Sequence, residues 1–539
     1  MAESVRLSDF KGENDTEMFT AAMAFLRRNP GSTLHVGSGV YTLTSELARQ
    51  TQAFVMRGVF GENPEPVMFS PSFEYTRGIS FEGQRGSTVL ACGATLLVDG
   101  FMEPVSLKNC ADITIKGLTI DHLRKPFSMG TVAEVIPAAG TAGRVAVDFS
   151  EEYPLDEKMP CVRTCFYSGE TNRFNLAAGI VERKISGRRM TLECSDIRGI
   201  APGCEFYVCH TYHSRPAILI ENARNTVLED VTVHSQPGMG VVGHRSENIF
   251  LKGFRVIPGP GVHFSTNTDA THFTSCKGTL RFEGCTFEGH GDDAANVHTY
   301  YHSIAKKMSG SRCLLTLESP TGTHSQTPDY PDPGDTLELT VADSLTTERT
   351  YTVLSCIPNP DDFTSVVELD GELPDNFDDY FLADVTRLPR LEFVRCFVKN
   401  HFARSVLVKT RSVLIEGCTF MDADLCAVEV AAEAWWKEGV CSADVVIRGN
   451  RIIYTGAKKN NGIRGCSGIA VLVDANLPEG TPHKNILIEN NIIDCPSSQH
   501  GIYIANAENV TVRGNSIRCA GGEIAVVDCR DVVISETRT

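Results

Sequence analysis

The sequence has few aromatic residues, fewer basic than acidic residues, and no long apolar run. Aromatic residues occupy 8% of the 539 positions, and the two Trp, Trp435 and Trp436, are adjacent. Lys and Arg number 50 against 67 Asp and Glu, which gives a net charge of −17. This balance argues against nucleic acid or an anionic membrane as the main partner and favours a neutral ligand. No uninterrupted run of about 18 apolar residues occurs, so we expect no membrane span.

The 19 cysteines include no Cys-x-x-Cys pairs with suitably spaced His, which argues against a structural zinc site. We predict no metal and no cofactor. Many cysteines lie inside apolar runs, where Cys behaves as a small hydrophobic residue, and we expect most of them to be reduced and buried. The N-terminal stretch MAESVRLSDF has neither the basic patch nor the apolar segment of an export signal, so we expect a soluble chain.

Turn residues and β-branched residues dominate the chain. Its 46 Gly and 25 Pro are spread along the sequence, which together with the β-branched apolar runs predicts an all-β fold. Residues 14–43 differ, because NDTEMFTAAMAFLRRNPG has apolar residues at helical spacing and STLHVGSGVYTL then alternates like a strand. A helix followed by a strand suits a cap that covers the open end of a sheet.

A short motif recurs from about residue 105 to the end of the sequence. Each copy has an alternating apolar run, a Gly or Asn turn and a second short run. A single copy is too small to bury its own apolar face, and the spacing often falls between about 20 and 30 residues, the range of coil-by-coil solenoids. The copies occupy residues 110–122, 223–235, 246–258, 276–289, 411–422, 443–454, 484–494, 508–519 and 530–536.

Stacking of the copies explains the motif. Alternation places Val, Ile and Leu inward, the Gly or Asn supplies the positive φ of the bend, and Asn at a repeated bend can form an internal ladder. We therefore predict a right-handed parallel β-helix. A propeller would need blades of about 40 residues, leucine-rich repeats would need regularly spaced Leu, and an antiparallel β-sandwich would not repeat so often.

Two segments interrupt the repeat and divide the chain. Residues 126–212 and 304–388 contain alternating strand-like runs with turns between them, and each is predicted to be a small inserted β-barrel. The remaining segments are then an N-terminal cap with the first coils, residues 1–125, the coils of residues 213–303, and the C-terminal coils of residues 389–539. Insertions in solenoids gather around the binding face, which directs attention to the coils between them.

Three aspartates in those coils form the strongest candidate site. Asp269, in NTDATHF, precedes Asp292 by 23 positions and Asp293 by 24, which is close to one coil. Neighbouring coils lie about 4.8 Å apart, so the three carboxyls are predicted to share one patch. Their repulsion would raise the pKa of at least one carboxyl, and an acid beside a carboxylate suits glycoside hydrolysis. A solvated acidic turn or a calcium site is the alternative interpretation.

These residues resemble a known family. The blocks NTDATHF, CKGTLRFEGC and GHGDDAANVH, with two insertions and repeats on both sides, look like glycoside hydrolase family 110, the exo-acting α-1,3-galactosidases of blood-group-B-type and linear glycans. The resemblance implies an inverting, metal-independent mechanism in which Asp269, Asp292 and Asp293 are catalytic. The similar NTD and GDD motifs of polygalacturonases support this by analogy. The resemblance also implies a secreted or periplasmic protein.

Further residues are candidates for substrate binding. His290 and His298 bracket the aspartate pair. Each could form hydrogen bonds to sugar hydroxyls, and a structural role in the turn or the core is an equal alternative. Arg404 and Lys409 follow the second insertion and would return the chain to a coil near the site. In polygalacturonases a similarly placed Arg and Lys hold a sugar carboxylate, whereas a neutral galactose would require only hydrogen bonds.

The stretch MDADLCAVEVAAEAWWKEG places Glu433, Trp435 and Trp436 one coil further along. A Trp face can pack on the apolar side of galactose, and an acidic side chain can bind two hydroxyls. Glu433 is also a candidate for the general acid. The alternative interpretation is a helix-like excursion with a solvated acidic face.

Three functions remain open. The first is an exo-acting hydrolase that releases α-1,3-linked galactose, by inversion, from oligosaccharides or glycoconjugates with terminal α-galactose. The second, a polygalacturonase-like enzyme, would need a basic groove, and the net charge of −17 weighs against it. The third, a non-catalytic carbohydrate-binding β-helix that uses the acidic patch for calcium, lacks repeated calcium-binding coils. The β-helix ends and the barrels could pair in a homodimer, which no sequence feature specifies.

Overall fold

The computed structural model describes residues 2–68, 70, 72–176, 178–317, 328–359, 361–455 and 467–538. Over these residues the chain is a parallel β-helix interrupted by two antiparallel units, so the predicted all-β architecture is confirmed. No helix in these ranges is long and apolar enough to cross a membrane. The α-helices span Asp15–Arg28, Glu46–Met56 and Glu65–Met68, and 3₁₀ turns span Leu7–Asp9 and Phe377–Asp379.

The first helix covers the N-terminal end of the apolar core. It begins at Asp15 because the side-chain oxygen of Asn14 accepts the Glu17 N–H at 3.0 Å. The helix face that carries Phe19 and Leu26 is buried and joins the core of the solenoid. The sequence pattern of a helix followed by a strand is therefore present here as a cap.

Successive coils pair in parallel in one 22-stranded sheet that wraps around this core. Alternation places equivalent apolar residues in register, as where Leu228 pairs with Leu251, Leu251 with Phe282, and Phe282 with Phe393. The strands span Ser4–Arg6, Thr33–His35, Gly39–Thr44, Thr88–Asp99, Ala111–His122, Arg224–Glu229, Thr232–Val233, Glu247–Lys252, Arg255–Val256, Lys277–Glu283, Thr286–Glu288, Arg390–Val394, Phe397–His401, Arg411–Glu416, Thr419–Ala423, Ala443–Arg448, Arg451–Ile453, His483–Glu489, Ile492–Cys495, Ala507–Arg513, Ser516–Cys519 and Arg530–Ser535.

A second parallel sheet closes each coil, and we call it the site sheet because it carries the candidate site. One short strand, Glu438–Gly439, pairs antiparallel with Ala295–Lys307 at its surface. The parallel strands span Arg77–Ser80, Glu103–Lys108, Ile218–Glu221, Val241–His244, Thr271–Thr274, Ala295–Lys307, Val406–Val408, Val428–Val430, Ser467–Val471, His500–Ala505 and Ile524–Val527.

In the C-terminal coils, the bend between the two runs of the motif holds an internal ladder of side chains. The side-chain oxygen of Asn450 accepts the Cys418 N–H at 2.9 Å, that of Asn491 accepts the Asn450 N–H at 3.0 Å, and that of Asn515 accepts the Asn491 N–H at 2.9 Å. We call Asn450, Asn491 and Asn515 the asparagine ladder. It satisfies buried backbone groups at bends where no sheet partner is present.

The two antiparallel units have apolar cores of their own. The first is a seven-stranded sheet with strands Phe127–Pro137, Gly143–Phe149, Arg163–Ser168, Arg173–Leu176, Ala178–Ser186, Arg189–Asp196 and Glu205–Cys209. In the second, the far end of Ala295–Lys307 closes a six-stranded barrel with Arg312–Thr316, Thr336–Val341, Thr347–Asn359, Thr364–Leu369 and Tyr380–Asp384. The predicted second segment also contains residues 318–327, which lie outside the described residues.

Most cysteines are small core residues. Within the described residues all 18 cysteines are free thiols, and 13 of them are buried. Cys466 lies outside the described residues. Cys285, Cys396 and Cys418 belong to the main core of the solenoid, which agrees with the small hydrophobic role predicted for them.

Candidate active site

A cavity of about 600 Å³ opens on the site sheet. Its wall combines residues of the solenoid coils with Asn63 and Glu65 from the N-terminal segment and Arg163 from the first insertion. Trp436, from the loop before strand Glu438–Gly439, also lines it. Asp269, Asp292 and Asp293 lie in this wall, and we call them the aspartate triad.

The coil register brings the aspartate triad together. The Ala270 N–H donates to the Asp293 carbonyl at 2.9 Å, which fixes the two loops one coil apart. One oxygen from each of the three carboxyls lies within 4.8 Å of one from each of the others. Asp269 and Asp293 are buried, whereas the Asp292 side chain is 36% exposed. The proximity predicted from the 23- and 24-residue spacing is therefore present in the structure.

Asp269 is held from two sides. One carboxylate oxygen accepts the Asp293 N–H at 3.2 Å, and the other lies 2.5 Å from His272 Nδ1. Burial raises the pKa of Asp269 above its ordinary value, an effect that the nearby Asp292 reinforces and His272 opposes. The carboxyl is thus fixed in position, and burial makes its ionised form unfavourable in free energy.

Asp293 is fixed by Arg404. The Arg404 N–H donates to one carboxylate oxygen at 2.8 Å, and the guanidinium Nη2 lies 3.0 Å from the other. Burial raises the pKa of Asp293 well above its ordinary value, the Arg404 charge opposes this, and the charges of Asp292 and Asp269 reinforce it. Because three carboxyls crowd together and two are buried, the triad retains a proton more readily than isolated aspartates do.

Asp292 faces the open cavity beside Arg163. The Arg163 Nη2 atom lies 3.4 Å from the Asp292 carboxylate, and Nη1 donates to the carbonyls of Asn267, at 2.8 Å, and Gly291. The guanidinium also lies over the ring of Tyr212, 4.7 Å from its centroid. The first insertion thereby contributes a cation to the triad, which the sequence did not reveal.

The two predicted histidines occupy different positions. His290 is buried behind the triad, where its Nδ1–H donates to the Asp292 carbonyl at 2.8 Å and its ring stacks on His401 at 4.4 Å. It is not among the cavity-lining residues of the described chain, so it supports the turn. His298 lines the cavity, and burial lowers its pKa to about 3.

The C-terminal coils supply the opposite wall. Arg404, Glu433 and Trp436 line the cavity as the sequence suggested for substrate contacts, whereas Trp435 is 65% exposed and is not among the described lining residues. Lys409 is fully buried beneath this wall, where its Nζ lies 2.5 Å from a Glu433 oxygen.

Sequence reasoning missed several residues at the cavity. His213 and Glu65 form an ion pair at 2.9 Å that joins the N-terminal segment to the solenoid. His272 lies three positions after Asp269 in NTDATHF, and this proximity could have identified it as a site residue. No feature of the sequence identifies Glu438 in this way. Glu438 is buried and contacts Lys409 and Asn296.

Among the described residues, two groups of side chains have separations that a metal ion could bridge. One is the aspartate triad, and the other consists of His272, His298 and Glu438, whose donor atoms also lie within 4.8 Å of one another. The first offers only oxygen donors, as calcium or magnesium prefers, and the second offers two imidazoles and a carboxylate.

Comparisons with known proteins support one family. No family model matches the chain. Alpha-1,3-galactosidase A of Bacteroides fragilis is 25% identical over 99% of this chain and 92% of its own length. Alpha-1,3-galactosidase B of Bacteroides thetaiotaomicron is 23% identical over 99% and 90%. Among solved structures, the mannuronan C-5 epimerase AlgE6 A-module of Azotobacter vinelandii covers 99% of both chains at 9% identity with a TM-score of 0.40. The resemblance to the α-1,3-galactosidase family, first carried by the aspartate motifs, is confirmed along nearly the whole chain.

Proposed function

We propose that the protein is an exo-acting glycoside hydrolase that releases terminal α-1,3-linked galactose from glycans with inversion. The observation that carries the proposal is the aspartate triad in the wall of a cavity, in a chain similar throughout to proteins named alpha-1,3-galactosidase. Two carboxyls that flank a glycosidic bond suffice for hydrolysis, one as acid and one as base.

The positions of the three carboxyls suggest a division of roles. Asp292 is the most exposed of them, so it can reach the oxygen of a bulky leaving group and protonate it. Asp269 and Asp293 are buried and oriented by His272 and Arg404, which suits side chains that hold the attacking water. Because the three carboxyls titrate as a coupled group, the proton that the triad retains is available to Asp292. Bond cleavage then transfers one proton from Asp292 to the leaving oxygen and one from water to the base.

The stereochemical outcome is part of the proposal. Inverting enzymes usually place the two carboxyls about 6.5 to 9.5 Å apart so that water fits between them. In the triad, one oxygen of each carboxyl lies within 4.8 Å of one oxygen of each of the others, and our proposal places the attacking water beside Asp269 and Asp293. The family resemblance supports inversion, and the first-formed anomer of galactose decides it.

The charges at the site favour a neutral substrate. Arg163 faces Asp292, Arg404 faces Asp293, and Lys409 faces Glu433 and Glu438. Each of these cations is already neutralised by a carboxylate of the protein, which leaves it poorly available to a carboxylated sugar. This pairing supports a galactoside over the polyanionic substrate of a polygalacturonase.

Proton NMR of the reaction tests the proposal. With a galactosyl-α-1,3-galactose oligosaccharide, linear or fucosylated, we expect β-galactose to form first and to mutarotate later. Polygalacturonate should not be cleaved. Release of α-galactose first would contradict inversion, and binding of the oligosaccharide without any turnover would favour the non-catalytic carbohydrate-binding alternative.

The biological setting follows from the substrate. Glycans with terminal α-galactose occur on secreted and cell-surface molecules, so we place the enzyme outside the cytoplasm, in the periplasm or secreted. Cell fractionation with an antibody to the chain checks this location. A homodimer remains part of the proposal from the sequence, and light scattering of the purified protein checks it.

A further inference from the structure

We propose that His272, His298 and Glu438 form a binding site for a divalent transition-metal ion of the zinc type in the cavity wall. The two imidazole Nε2 atoms face each other at 2.9 Å, and a Glu438 oxygen lies 3.7 Å from His298 Nε2. Two His and one carboxylate with an open fourth position form a common zinc-binding set. The site shares no ligand with the aspartate triad, although His272 also contacts Asp269.

The hydrogen bonds on the far side of each ring favour metal binding. His298 Nδ1–H donates to the Thr299 carbonyl at 2.8 Å, and His272 Nδ1 lies 2.5 Å from an Asp269 oxygen. The Thr299 carbonyl and the Asp269 carboxylate are both hydrogen-bond acceptors. Each neutral imidazole ring therefore carries its proton on Nδ1. Both Nε2 lone pairs then point at one another. Metal-binding histidines have this arrangement, with the outer N–H bonded to a carboxylate or a carbonyl.

The distances between the donor atoms suit a bound metal ion after a small movement of the side chains. Ligand bonds of about 2.1 Å at a tetrahedral angle separate two donors by about 3.4 Å. The observed separations of 2.9 and 3.7 Å lie on either side of this value. The three side chains are at most 14% exposed, so neighbouring groups keep them in place.

Glu438 is oriented with one oxygen left for the ion. Its Oε2 atom is held by Lys409 and, at 3.2 Å, by the amide nitrogen of Asn296, while Oε1 faces His298. Asn296 pairs in register with His272 and lines the same cavity. Its buried side-chain oxygen has no hydrogen-bond partner among the described residues, which provides an additional donor beside the site.

The consequence for the enzyme is inhibition. The proposed hydrolysis requires no metal, and a cation at this position occupies the cavity wall next to Asp269, where the sugar must bind. Imidazole donors select zinc, cobalt, nickel or copper ions over calcium and magnesium. We therefore expect Zn²⁺ to inhibit in competition with the substrate and Ca²⁺ to have no effect.

Binding of metal to the full chain tests the site without relying on turnover. After chelator treatment and dialysis, titration with Co²⁺ alone should give one bound ion per chain and the visible absorption of four- or five-coordinate cobalt, and Zn²⁺ should displace it. In His298→Gln and in Glu438→Gln, binding should weaken at least about 100-fold, since loss of a ligand costs more than the about 10- to 100-fold lost with a supporting partner. Thermal melting shows whether each variant is folded.

A matched control comes from another His–carboxylate pair. His263 Nδ1 lies 2.8 Å from Glu205, but His263 is not among the cavity-lining residues described, so His263→Gln should bind Co²⁺ as the unmodified protein does. The proposal is overturned if the unmodified protein binds no stoichiometric Co²⁺. It is also overturned if folded His298→Gln and Glu438→Gln bind normally while Asp292→Asn does not, because the ion then lies at the aspartate triad.

Discussion

The Asp292→Asn variant provides the sharpest test of the proposed chemistry. A general acid contributes about 10²- to 10⁴-fold, so the barrier for a poor leaving group should rise by about 2.7 to 5.4 kcal/mol. The fold should tolerate the change. The side chain is 36% exposed, so its ion pair with Arg163 is screened and contributes under about 1 kcal/mol. Arg163 also keeps its bonds to the Asn267 and Gly291 carbonyls.

The assay compares two leaving groups. With galactosyl-α-1,3-galactose the variant should lose about 10²- to 10⁴-fold in kcat/KM, whereas with 2,4-dinitrophenyl α-galactoside, which leaves without a proton, the loss should be far smaller. Asp269→Asn and Asp293→Asn should lose activity on both substrates, because activation of water is needed for both. Asp494→Asn, which removes an exposed ion pair with Arg518, should be fully active.

Two outcomes would refute this reasoning. Equal losses on both substrates for Asp292→Asn would mean that Asp292 does not protonate the leaving group. Full activity of Asp292→Asn with an unchanged melting profile would remove it from the mechanism altogether. Preferential sensitivity of Asp293→Asn to the poor leaving group would instead transfer the acid role to Asp293.

Three further predictions concern the walls and the scaffold. Although burial alone would raise the pKa of Glu65 and lower that of His213, their hydrogen bond and charges reverse both directions. The pair therefore stabilises the fold fully between pH 4.5 and pH 6.5, the ordinary pKa values of Glu and His. The stabilisation is lost as the pH falls through the lowered pKa of Glu65 or rises through the raised pKa of His213. Glu65→Gln should lower the melting temperature most between these values, and an equal decrease at pH 9 would contradict the pairing. Asn491→Ala removes its bonds in the asparagine ladder and should cost about 3 to 4 kcal/mol, measured by denaturant unfolding, and an unchanged midpoint would contradict this. Trp436→Ala should raise KM about tenfold with little change in kcat, whereas Trp435→Ala should not, and equal effects would contradict a sugar platform at one position.

The part of the site that the sequence predicts is the part fixed by the repeat. Coil lengths vary with the loops, but neighbouring strands pair in register, and a coil with short loops contains 24 residues from His272 to Asn296 and 22 from Val406 to Val428. A separation of 23 or 24 positions therefore places Asp269 beside Asp292 and Asp293 without knowledge of any side-chain contact. The asparagine ladder is predictable from the motif rather than from a fixed spacing, since its members recur at the same bend although they are 41 and 24 residues apart.

The residues that sequence reasoning missed come from outside the repeat. Arg163 lies in the first insertion and Glu65 in the N-terminal segment, at distances along the chain that no period relates to Asp292. Glu438 belongs to a two-residue strand in a segment whose sequence also allowed a helix-like excursion. Its pairing with Ala295–Lys307 therefore depends on tertiary packing. His290 was a candidate by adjacency alone, and the turn directs its ring away from the cavity.

The barrel of the second insertion restrains the geometry of the triad. The strand Ala295–Lys307 begins two residues after Asp293, carries His298 in the cavity wall, and then pairs with Tyr380–Asp384 inside the barrel. One continuous strand thus has hydrogen-bonded neighbours in the solenoid and in the barrel. Because a strand held at both ends cannot shift its register without breaking both ladders, the insertion restrains the position of Asp293 relative to Asp269. The barrel is therefore part of the scaffold of the proposed active site, even though the three aspartates all come from the coils.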